Sequence, residues 1–78
     1  MNDEMKSAIE KAIPGASVDV TAGGGGHYSL RVVSSAFEGK SLLQKQRLVL
    51  SAIADLMKGN DAPVHAIDKL ETICPSEE

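Results

Sequence analysis

A chain of 78 residues has material for one compact domain, and it buries only about 60% of the surface that its unfolded form exposes, which leaves little room for a deep, water-free catalytic site. With 42% hydrophobic and 24% charged residues the composition is globular rather than disordered. A formal net charge of −3 and only two aromatic residues, Tyr28 and Phe37, argue against nucleic acid as the main partner, since that needs concentrated cations and stacking platforms.

Met5, Ala8, Ile9, Ala12 and Ile13 recur on one helical face, with Asn2 or Asp3 available as N-cap and Pro14-Gly15 as the stop. From Ser17 the period becomes two, Val18 and Val20 facing one way and Asp19 and Thr21 the other, which predicts a first strand. Gly23 to Gly26 interrupt it. His27 to Val33 alternate again as a second strand, antiparallel to the first. Ser41 is placed to cap a helix carrying Leu48, Val49, Ala52, Ile53 and Leu56, and the polar block Gln44 to Arg47 suggests a short helix before the long one. Gly59-Asn60-Asp61-Ala62-Pro63 reads as a stop and turn. From Val64 to about Ile73 a third strand follows, its broken alternation suggesting a β-bulge near Asp68-Lys69. Residues from about 75 onward read as a frayed tail of a single domain spanning 1–78.

The second and third strands are separated by roughly 30 residues containing a helix, the length of a parallel crossover. Their starting ends then share one sheet edge. His27 opens one and His65 the other, so the chain's two histidines are predicted to converge. Two imidazoles at an open edge suit a metal whose remaining ligands come from elsewhere, whereas a closed structural zinc site takes four. No nucleophile, base and orienter pattern is discernible, and the expectation is a binding protein, not an enzyme.

No apolar run approaches the ~20 residues of a membrane span, and Met1 to Pro14 interleave charged with apolar residues, unlike a signal peptide. The lone Cys74 cannot form an internal disulfide and fits a reducing compartment. The expected location is cytoplasmic, or an organelle matrix after loss of a presequence.

Val32-Val33-Ser34-Ser35-Ala36-Phe37-Glu38-Gly39-Lys40-Ser41-Leu42-Leu43-Gln44, the Lys45/Arg47 pair, Val64-His65-Ala66-Ile67, and Glu71-Thr72 ahead of Pro75 together resemble the BolA family. The resemblance implies an α+β fold of order αββααβ, a three-stranded mixed sheet with helices on one face, similar to a type II KH domain. It also implies a heterodimer with a monothiol glutaredoxin that shares a 2Fe–2S cluster, in iron–sulfur cluster assembly or trafficking and iron homeostasis. The glutaredoxin cysteine and glutathione would supply thiolates, and this chain His65 with a second ligand from the loop between the first two strands. Alone, the chain would carry no cofactor. In several members that second ligand stands earlier in the loop, where this chain has Ala22 and glycines, which leaves His27 as the candidate. Glu78 stands where the family commonly has Trp, and one extra residue lies between His65 and Pro75.

Lys40, Lys45 and Arg47 form the best basic cluster. They offer a contact to the glutaredoxin, to glutathione or, as the alternative function, to nucleic acid in a KH-like transcriptional regulator. A KH domain grips nucleic acid through a GxxG loop between helices, whereas the glycines here lie between strands.

Overall fold

The structure is a computed structural model describing residues 1–59 and 62–77. Among these, two α-helices and three strands follow the order α1 (Asn2–Ala12), β1 (Ser17–Gly24), β2 (His27–Val33), α2 (Leu42–Ala52) and β3 (Ala66–Ile73). Short 3₁₀ turns occupy Ser35–Phe37, Ala54–Met57 and Pro75–Glu77. The fold is α+β, and the sheet is mixed: β2 lies in the middle, antiparallel to β1 and parallel to β3.

Helix α1 buries Met5 and Ile9, one turn apart, and Ile13 just beyond its end. Asp3 and Glu4 in its first turn and Lys11 in its last have the signs that the helix dipole favours. Neither Asn2 nor Asp3 caps it: both lie inside the first turn, Met1 is the N-cap, and no side chain bonds the free amides. Gly15, at φ +68°, reverses the chain into β1.

Helix α2 starts on a capping box, the Ser41 hydroxyl accepting from Gln44 N–H at 3.2 Å while the Gln44 side chain accepts from Ser41 N–H at 2.9 Å. The separate short helix expected at Gln44 to Arg47 is absent. These residues lie inside α2, and the short helical pieces are the 3₁₀ turns on either side of it. Gln44 and Arg47 of this block are exposed while Lys45 and Gln46 are half-buried, and the buried contacts come from Val49 and from Ile53 at the C-cap.

Helix α1 packs on β1, α2 packs on β3, and the two helices touch, so one sheet face is covered. Its core includes Val18, Leu30, Val32, Val64 and the fully buried Phe37. Phe37 ends a 3₁₀ turn held by buried Ser34, whose hydroxyl accepts from Ala36 N–H at 3.1 Å and donates to Pro14 carbonyl at 2.9 Å. The other sheet face carries Asp19, Thr21, Ser29, Arg31, Lys69 and Glu71.

Where a frayed tail is expected, Pro75–Glu77 form a 3₁₀ turn: Glu77 N–H donates to Cys74 carbonyl at 2.9 Å, and Cys74 N–H donates to Glu77 Oε1 at 3.1 Å. Glu78, and Asn60 and Asp61 of the expected turn, lie outside the described residues. No described helix is long and apolar enough to cross a membrane.

Candidate ligand site

Parallel pairing of β2 with β3 brings both histidines to one end of the sheet. His27 opens β2 and pairs with Ala66, and His65 immediately precedes that residue. The two segments are tied by the backbone, His65 N–H donating to the Gly26 carbonyl at 2.8 Å and Ala66 N–H to the same oxygen at 3.3 Å. The anchoring carbonyl thus belongs to the residue just before His27.

Gly26 is required here twice over. Its φ is +80°, a left-handed conformation costly for side-chain-bearing residues, and a Cβ at this position would overlap the His65 ring, lying 2.9 Å from its Cγ. The His65 imidazole rests against bare backbone while the residue itself remains exposed.

The expected bulge in β3 is present, and the residue it sets apart carries a carboxylate. Register passes from Tyr28↔Ile67 directly to Ser29↔Lys69, leaving Asp68 as the extra residue. Its carboxylate accepts a hydrogen bond from His27 Nδ1 at 3.0 Å, both side chains remaining about half exposed. Sequence reading found the bulge but not this partner. The available signal was a carboxylate at the one position where an extra residue opposes the start of a histidine-led strand.

Imidazole donors on a glycine backbone suit a soft or borderline metal centre. Among the described residues, no group of three or more His, Cys, Asp or Glu is placed to hold a metal ion. Any metal at this end of the sheet would therefore draw part of its coordination from outside the described residues.

The basic cluster does not act as a unit. Lys45 is only 12% exposed and turns inward, its Nζ donating to Thr72 carbonyl at 3.4 Å and lying 3.6 Å from Glu77 Oε1. Lys40 and Arg47 instead line a shallow groove with Gln44, Leu48 and Ser51. Cys74 is a core residue whose thiol pKa is pushed up, first by burial and then by the neighbouring Glu77. At neutral pH it stays protonated and poorly nucleophilic.

A mixed three-stranded sheet with helices on one face defines the class: this is the architecture of known BolA structures. A family model described as BolA-like protein matches residues 2–77, and the chain belongs to the BolA-like family. It is 48% identical to mouse (Mus musculus) BolA-like protein 1 over 48 residues, a stretch covering 62% of this chain and 33% of that protein. Thus it matches only about a third of that relative's length. The BolA domain of SufE1 from Arabidopsis thaliana superposes with a TM-score of 0.82 at 27% identity, covering 99% of this chain and 94% of that one. Yeast Fra2 superposes with a TM-score of 0.70 at 28% identity, covering 99% and 82%.

Proposed function

We propose that this chain is a non-enzymatic partner of a monothiol glutaredoxin, contributing His65 and His27 as ligands to a shared 2Fe–2S cluster that it helps to assemble or pass on, and so serving iron homeostasis. The observation that carries the reading is the double hydrogen bond to the Gly26 carbonyl, which joins the two histidine-bearing segments at one open sheet end. Family membership supports the cluster and the partner.

The fit rests on the donors themselves. His65 is exposed, lies on a glycine that no side chain could replace without collision, and is fixed through its own backbone amide. His27 sits beside the same carbonyl with its Nδ1 already engaged. Thiolates from the glutaredoxin and glutathione would complete the set. Replacing part of an all-thiolate shell with imidazole raises the cluster's reduction potential. This chain's own part is to present nitrogen donors and to offer the partner a surface. Exposed Leu42 and Leu43, beside Lys40 and Arg47, suit a protein surface better than a phosphate backbone. Nucleic-acid binding is the weaker alternative, because Lys45 is engaged inside the fold and only Lys40 and Arg47 of the basic cluster remain in the groove.

The test is reconstitution with a monothiol glutaredoxin, glutathione, iron and sulfide. His65→Ala should lose the visible absorption and circular dichroism features of the mixed complex. A mutant complex with wild-type spectra would sink the proposal.

A further inference from the structure

We infer that Asp68 is the positioning residue of the site: it holds the His27 imidazole in the Nδ1–H tautomer, so that Nε2 is the nitrogen presented to a metal. The inference rests on the reading of His27 as a ligand, and adds a group outside the donor set.

The chemistry follows from one contact. A carboxylate at neutral pH only accepts hydrogen bonds, so the 3.0 Å approach of Asp68 Oδ1 to His27 Nδ1 places the ring hydrogen on Nδ1. The lone pair of neutral imidazole is then on Nε2. Metal-ligating histidines recurrently donate their second ring nitrogen to a carboxylate or carbonyl, which fixes ring orientation and raises ligand basicity. Here the arrangement is built by the β-bulge: Asp68 is the residue skipped between Ile67 and Lys69 in the pairing with β2, which frees it from the regular ladder to meet the first residue of that strand.

A stabilising role is a poor explanation for the pair. With side chains 48% and 55% exposed, such a solvent-screened contact contributes little to folding. Its consequence is directional.

Nitrogen-15 NMR of the ring nitrogens at about pH 8, above the ordinary imidazole pKa near ~6.5, tests this on the chain alone. Wild type should show His27 as the Nδ1–H tautomer. Asp68→Ala should move the ring hydrogen largely to Nε2, Asp68→Asn should retain it on Nδ1 through the amide oxygen, and all three should unfold at the same urea midpoint. In the glutaredoxin complex, Asp68→Ala should shift the cluster spectrum in the same sense as His27→Ala but less far, and add nothing to it when the two are combined. An Nε2–H tautomer in wild type, an unaltered tautomer in Asp68→Ala, or an equal effect of Asp68→Ala in the His27→Ala background would each overturn the assignment. Failure of the cluster reading shows separately, as wild-type spectra from His65→Ala, with the NMR result unaffected.

Discussion

Gly26 carries two constraints that no other residue type meets together, a φ of +80° and a ring lying where its Cβ would be. Alanine there must strain the backbone or displace His65. Gly26→Ala is therefore expected to destabilise the chain by about 1–3 kcal/mol in urea unfolding and to weaken cluster retention in the glutaredoxin complex. Unchanged values for both would remove the argument that this glycine shapes the ligand site. At this scale the sequence was partly legible. Strand order alone predicted that His27 and His65 begin neighbouring strands, because parallel pairing aligns starting ends. The four-glycine run, by contrast, reads as a flexible loop open to close backbone approach, without singling out any one glycine. Which glycine meets the His65 ring depends on the residue-by-residue register of β2 against β3, which periodicity does not give. The Asp68–His27 contact was hidden for the same reason: the broken alternation located the bulge but not the residue opposite it.

The periodic elements were the clearest part of the chain. The range His27–Val33 follows from alternation, and the start of α2 follows from Ser41 and Gln44. Ser41→Ala should cost about 0.5–2 kcal/mol, as loss of an N-cap does, with no effect on cluster spectra. Denaturant titration and visible spectra of the same protein would check both halves. What was misread has a common physical origin. Gln44 to Arg47 resembled a break because four polar residues in succession hide the helical period, yet Lys45 among them reaches inward to Thr72 and Glu77. A long side chain can leave a polar face for a buried carbonyl, and one-dimensional patterning does not register it. The Pro75–Glu77 turn escaped notice similarly, since its anchors are backbone and carboxylate groups of Cys74 and Glu77 rather than apolar periodicity.

Across the whole molecule, Lys45, Thr72 and Glu77 join α2, β3 and the C-terminal turn. The Glu77 carboxyl is held below its ordinary pKa of 4.5, chiefly by the Cys74 amide and also by the Lys45 ammonium. Because the folded value is depressed, this contribution is complete above the unfolded pKa and is lost as pH falls through the folded one. The urea midpoints of wild type and Glu77→Gln should therefore differ at pH 7, and the difference should shrink as the pH falls below the ordinary carboxyl value of 4.5. A difference that is constant from about pH 3 to 7 would contradict the linkage. The covered sheet face gives the domain its core, while the end bearing the histidines stays open, as the proposed sharing of a ligand set requires.

The claim at the centre is that His65 ligates a cluster held jointly with a glutaredoxin. Visible circular dichroism of the reconstituted complex, wild type against His65→Ala, reads it most directly. Loss or replacement of the mixed-complex signal in the mutant is the predicted result, and superimposable spectra at equal cluster content would contradict it.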